Sequence, residues 1–390
     1  MRSRMWYKVR FVYLAAFLMS FHYAFTIYIN STFLSEFFPA KTVGLLYTAG
    51  ALLTVLILIA SSSIIRRISN FYFFASILCT EIIVLLGLFS SSNPELIKIL
   101  FVIHQAIPPL LLFGLDLFLE GTMRNENHTG GVHSLYLTAH NVAFVLSPLI
   151  VGKIVTMSSY RTIYLISAVF CMALLFLTFD EFRTIRTRKL REINFIDSLK
   201  KFVPHKNLNR IFIINFLLHS FYAAMVIYMP LYLHEVIGFS WEKIGFMFTI
   251  MLVPFVLFEA PLGRLFDRIG AEKDALIAGF FIISVSSCTI FFLRDANVLL
   301  WSALLFMSRV GASFVEVGAE YSFFKRVSDR DAGFISIFRM AGPMAYIVAP
   351  LLTSLLVRVL PIHYIFLVVS IAILSGIAFA YKLNTQRKSL

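Results

Sequence analysis

Gly263-Arg264-Leu265-Phe266-Asp267-Arg268-Ile269-Gly270-Ala271-Glu272-Lys273 is a short, charge-dense stretch between two apolar runs, roughly 242–265 and 274–293. About 20 apolar residues make a helix long enough to cross a hydrocarbon core. The stretch therefore reads as a hydrophilic loop joining two spans at a membrane surface. Gly263 and Gly270 permit a tight turn and a close approach of helices. Asp267 and Arg268 are placed to bridge neighbouring helix ends.

Working outward, the same alternation fills the chain. Of 390 residues, 59% are hydrophobic and 14% charged, and Phe alone contributes 42. A soluble domain is near 45–50% apolar and about 25% charged. One core cannot absorb this surplus, so lipid must cover much of the surface. Twelve candidate spans follow, at roughly 10–34, 42–65, 71–91, 96–122, 132–157, 161–180, 209–234, 242–265, 274–293, 297–323, 332–357 and 361–381. The expected fold is an all-α integral membrane protein of two pseudo-symmetric six-helix bundles, 1–180 and 209–390, joined by a basic linker, 181–208. The first run lacks a small-residue cleavage site and reads as a retained helix.

Charge sets the orientation. With the N-terminus cytoplasmic, 25 of the 34 Lys and Arg fall on the inside, 7 outside, and Arg309 and Arg339 within spans. Both termini are therefore expected to be cytoplasmic. The net charge of +13 serves this topology and does not point to nucleic acid. In the linker, Phe195, Ile196, Leu199, Phe202 and Val203 recur at helical spacing beside Lys200 and Lys201. Two readings stay open there: a helix lying on the anionic inner leaflet, and a solvated linker. Cys79, Cys171 and Cys288 lie in apolar runs with no metal-ligand spacing, so neither a metal nor another cofactor is expected.

The halves repeat. A shift of 200 residues lays Arg10, Phe21, Ala24, Ile27 and Tyr28 on Arg210, Phe221, Ala224, Ile227 and Tyr228, and Asp116 and Glu120 on Glu316 and Glu320. A shift of 201 lays Arg67-Ile68-Ser69 on Arg268-Ile269-Gly270, and a shift of 202 lays Ser147-Pro148-Leu149 on Ala349-Pro350-Leu351. Repeated halves are typical of secondary transporters, whose sites lie near the midplane.

The loop 263–273 resembles the signature of the major facilitator superfamily: Gly, three residues, Asp, a basic residue, any residue, Gly, then basic residues. The match is completed by Lys273. The spans, linker and repeat extend the resemblance over nearly the whole chain, which looks like a bacterial member in the cytoplasmic (inner) membrane. In that family the loop holds one face of the transporter closed. The first half departs from the pattern at Arg66-Arg67-Ile68-Ser69-Asn70, with Arg66 in place of the Asp and Ser69 in place of the Gly. Span 5 carries a partial likeness to the exporters' Gly-rich run, through the helix-packing positions Pro148 and Gly152, and tilts the expected direction towards export.

The resemblance implies that spans 1, 4, 7 and 10 line a central cavity, and each carries a polar stripe. The candidates are His22, Tyr28, Gln105, Asn215, His219, Tyr222 and Arg309, with His140 in span 5. Ionisable groups in a membrane need a partner or water, and His titrates near neutrality; a buried His is as often a packing residue. Tyr28 and Tyr222, with Tyr228, line an aromatic cavity or pack helices. Under the repeat Tyr222 is the counterpart of His22. Glu81 in span 3 is a further candidate.

Asp116, Glu120, Glu316 and Glu320 lie in the inner third of their spans, where a gate network with Arg67, Arg268, Glu259 and Arg339 is expected. Glu316 and Arg339 sit at a similar depth, about 10 Å in, and are expected to pair. Arg309 is too far from Glu316 along its helix for a direct pair, so another helix or the substrate must supply its anion. Asn30-Ser31-Thr32 fits a glycosylation pattern, read here as coincidental.

The sequence thus points to a monomeric, proton-coupled transporter of a small organic solute, with export favoured. Uptake of a sugar or metabolite and a non-transporting receptor are the alternatives. A membrane enzyme is disfavoured: there is no phosphate-binding Gly-rich loop and no His-Glu-x-x-His cluster.

Overall fold

The computed structural model describes residues 2–122, 129–185, 195–327 and 332–384. The side chains of Glu120, His140 and Asp267 lie outside the described residues. The described chain is helical throughout: α1 (Arg2–Ile27), α2 (Asn30–Ser35), α3 (Ala40–Ser90), α4 (Pro94–Thr122), α5 (Thr129–Met157), α6 (Tyr160–Glu181), α7 (Phe195–Phe202), α8 (Lys206–Leu231), α9 (Trp241–Ile269), α10 (Glu272–Phe292), α11 (Val298–Phe324), α12 (Ala332–Arg339), α13 (Ala341–Leu356), α14 (Tyr364–Leu374) and α15 (Gly376–Tyr381). Eleven segments of the described residues are long and apolar enough to cross a membrane, and Asn141–Met157 of α5 is a shorter apolar helix. Large apolar side chains such as Leu56, Ile83, Phe176, Phe281 and Ile371 stay exposed on the helices, as a lipid-facing surface requires.

Several spans are interrupted. Span 1 breaks at Tyr28–Ile29, and Asn30 opens α2. Span 7 widens from α8 into a π-turn at Tyr232–Val236. Such breaks are tolerated inside a bundle because neighbouring helices satisfy the loosened backbone. Spans 2 and 3 form one α3, split at Ser69 with φ 76°, ψ 159°. That region of backbone space is nearly reserved for glycine, and a residue held there costs about 1–3 kcal/mol.

The chain divides into two compact units, Met1–Phe38 with Leu46–Glu192, and Pro39–Leu45 with Ile193–Leu390. In the first, α1 packs on α4, α5 and α6. In the second, α8 packs on α11 and α13, and α10 on α11 and α14. The α10–α11 crossing depends on Gly279 and Gly311: a Cβ on either would sit 2.6 Å from the other's carbonyl oxygen. Small residues at such crossings let membrane helices gain dispersion contacts.

The stretch 263–273, expected as a loop, is mostly helix: α9 runs through Ile269 and α10 starts at Glu272, which leaves the tight turn at Gly270 and Ala271. Gly270 ends α9 in the left-handed region (φ 66°, ψ 33°) and its N–H reaches the Phe266 carbonyl at 2.9 Å. Gly263 has no atom within 4 Å of where its Cβ would be, so it makes no close helix approach. The loop is anchored by Phe266, buried among Leu262, Ala275, Phe258 and Tyr321, and by Glu272, whose buried carboxylate meets Lys325 Nζ at 2.9 Å. Lys273 lies over the Tyr381 ring. In the linker, α7 is a helix whose Phe202 is buried against Phe212 and Phe334, while Leu199 and Val203 stay exposed.

Candidate functional site

The first unit holds a polar cluster at the level of the span 1 break. Span 1 supplies His22 and Asn30, span 3 Glu81, span 4 His104 and span 6 Tyr164. The break at Tyr28–Ile29 lies between His22 and Asn30, so the turn there, and not helical spacing alone, brings both to one cluster. All five side chains are 3% exposed or less. Tyr164 Oη donates to Asn30 Oδ1 at 2.8 Å. Asn30 Nδ2 donates to His104 Nε2 at 3.3 Å, and His104 Nδ1 donates to Glu81 Oε1 at 2.6 Å. His22 Nε2 stands 3.1 Å from the same Oε1, but out of line for a hydrogen bond, and Glu81 Oε2 and His22 Nδ1 have no partner among the described residues. An ionised carboxylate buried alone is strongly disfavoured, by several kcal/mol. Two imidazoles within 3.1 Å offset that cost while leaving acceptor and donor capacity unused.

The second unit holds a different set. Tyr222 Oη donates to Glu316 Oε2 at 2.7 Å. Arg309, 2% exposed, lies over the rings of Phe221 and Tyr222, its guanidinium carbon 5.0 and 5.1 Å from their centroids. Its Nε and Nη1 have no hydrogen-bond partner among the described residues. Ring faces return about 2 kcal/mol to a desolvated cation, less than the several kcal/mol that burying it costs.

Other expected site residues fall elsewhere. Arg339 pairs with Glu320 at 2.7 Å, both well exposed, and not with Glu316. Arg339 ends α12, and Glu320 lies one turn nearer the end of α11, so the reach is shorter. Arg268, Arg67 and Asp116 are exposed and Glu259 is half-buried. Neither Arg268 nor Arg67 forms an ion pair among the described residues. Glu320 and Arg339, both expected in the inner network, do pair, and Glu272–Lys325 forms beside them.

Gln105 is half-buried and packs on Gly50. Asn215 donates to the Phe338 carbonyl at 3.4 Å. His219 stacks edge-on against Tyr222, its ring beside Gly342. Tyr28 is buried at the span 1 break, and Pro148 and Gly152 are buried in α5. Asn30 is 3% exposed, which leaves no room for a glycan. His104 and Tyr164 were missed from sequence. His104 adjoins Gln105, and its signal was a His within one span of Glu81 at comparable depth.

A sequence profile described as Major Facilitator Superfamily matches residues 11–251 and 242–389. No curated protein matches the sequence significantly. Among solved structures, the chain is similar to a mutant form of the nucleoside transporter NupG: TM-score 0.78, 13% identity, 96% of this chain and 98% of the other. It is also similar to NupG itself: TM-score 0.75, 14% identity, 97% and 100%. At this identity the likeness is one of fold.

Proposed function

Because the chain belongs to the Major Facilitator Superfamily, it is a membrane transporter and not an enzyme, and we propose that it is a proton symporter taking up a small polar metabolite across the cytoplasmic membrane. The observation that carries the coupling is Glu81 Oε1 held between His104 and His22, at 2.6 and 3.1 Å, with all three side chains shut off from solvent. As arranged, Asn30 Nδ2 points at His104 Nε2, so that nitrogen acts as the acceptor. A proton arriving on Nε2 would set two donors against each other. The Asn30 amide then turns over, Oδ1 accepting from His104 and Nδ2 donating to the Tyr164 oxygen. The cluster gains one positive charge, which balances Glu81. A charge change of this size inside a membrane biases alternating access between inward-facing and outward-facing states.

Metabolite uptake is preferred to export. The solved structures of this fold include a transporter named for nucleosides. Export rests on the resemblance at Pro148 and Gly152.

The test is solute accumulation in proteoliposomes with an imposed pH difference, with radiolabelled uridine and glucose as first probes. One proton per solute gives about tenfold accumulation per pH unit, since one unit is worth about 1.4 kcal/mol. Glu81→Gln should lose accumulation and keep solute exchange at zero gradient. Flux in the wild type that ignores the gradient overturns the coupling.

A further inference from the structure

We propose that Arg309 is a docking point for an anionic group, a carboxylate or phosphate, on the transported solute. Calling the ligand a transported solute rests on the transporter reading above; the binding claim does not. Three observations carry it. Arg309 is buried in the middle third of α11, where a permanent cation has no bulk water to solvate it. Among the described residues no carboxylate pairs with it. Glu316, the acid on its own helix, is instead engaged by the Tyr222 hydroxyl. Finally, Nε and Nη1 are buried and without a partner.

The rings of Phe221 and Tyr222 hold one side of the guanidinium. Ring faces stabilise a cation without using its N–H donors, so Nε–H and Nη1–H remain available. They lie on different edges of the planar fork, and each can give a charge-assisted bond to an oxygen of a carboxylate or phosphate. A purely structural Arg would be expected to spend its donors on backbone carbonyls, as Arg294 does with the carbonyls of Phe291 and Leu293 at 2.7 and 2.9 Å. Neighbouring Ser308 and Ser313 instead satisfy their own hydroxyls on the helix carbonyls of Leu305 and Val310, leaving the Arg309 donors uncontested.

The test is ligand-induced thermal stabilisation and calorimetric binding on the full-length protein in detergent, with no gradient present. Three matched probe pairs differ in the anion alone or nearly so: benzamide and benzoate, glucose and glucuronate, uridine and uridine 5′-monophosphate. The expected result is binding of at least one anion and weaker or no binding of its neutral partner; the pairs separate carboxylate from phosphate. Arg309→Gln should weaken that anion about 10- to 150-fold, the range of a hydrogen bond to a charged group. Arg309→Lys, which keeps the charge and loses the fork, should fall between and guards against a folding defect. Neutral members binding as tightly as their anions, an unchanged anion affinity in a folded Arg309→Gln, or no anion of the set binding each overturns the proposal. Gradient-driven flux is read separately, so failure here leaves the symport reading standing, and the reverse holds too.

Discussion

Replacing Glu81 and His104 by Ala, singly and together, measures whether the buried cluster is charged. The Oε1–Nδ1 separation is 2.6 Å, with the two side chains 0% and 1% exposed. Neutral hydrogen bonds between membrane helices couple by about 0.6 kcal/mol on average and about 1.7 at most. Bonds to an ionised group contribute about 1.5–3 kcal/mol. The short distance and the second imidazole at 3.1 Å place this pair in the upper range, so the double-mutant cycle should return about 2–3 kcal/mol. Gln keeps an acceptor for His104, so the single change Glu81→Gln should cost only about 1–2 kcal/mol. Glu81→Ala leaves two buried imidazoles with no shared acceptor and should cost about 3–5 kcal/mol. The assay is reversible unfolding in mixed detergent–SDS micelles, followed by far-UV circular dichroism. Effects that add to within about 0.5 kcal/mol would refute the charged reading of the cluster, and with it the proposed seat of the proton.

Three smaller changes probe the rest of the structure. Ser69→Gly should stabilise the protein by about 1 kcal/mol by relieving a backbone angle suited to glycine, measured in the same unfolding assay. Severing the exposed Arg339–Glu320 pair by Glu320→Gln should cost less than about 1 kcal/mol and should fade in high salt; a larger loss would mean that the pair is shielded. The Glu36 carboxyl, at the outer end of α2, is raised above its ordinary range by burial, an effect opposed by Arg161. A raised carboxyl contributes stability that is full at low pH and lost as pH rises through its folded value. Glu36→Gln should therefore stabilise slightly near pH 7 and change nothing near pH 3, checked by melting temperature across that range.

Length and hydropathy made the architecture legible, because a bilayer demands one apolar run per crossing. The Gly270 turn was legible too, since α9 needs a left-handed residue at its end. Gly263 shared the motif but not the constraint: its neighbourhood is open, and nothing in a motif reports neighbours. Depth along a helix suggested Glu316 and Arg339 as partners, yet depth says nothing of azimuth. Glu316 faces Tyr222 while Arg339 reaches Glu320. The buried cluster was half-read for the same reason. His22 and Glu81 stood out as costly groups in lipid, but which imidazole met the carboxylate depended on the rotation of α4. His104 and Gln105 are adjacent in sequence and about 100° apart around the axis. Arg309 stood out in the sequence as a cation with no acid within reach on its own helix.

The repeat places His22 and Tyr222 at counterpart positions, and each faces a carboxylate, but from span 3 in one unit and span 10 in the other. The partner of Asn30 sharpens this difference. Asn30 is the first residue of α2, immediately beyond the Tyr28–Ile29 interruption, and α2 is held to spans 4 and 6 through its amide. Under the proposed protonation of His104, the amide that turns over is also what ties this six-residue segment to its neighbours. Because the turned amide keeps both partners with the bond directions reversed, a change of charge at His104 would be relayed to the outer end of span 1 without releasing it.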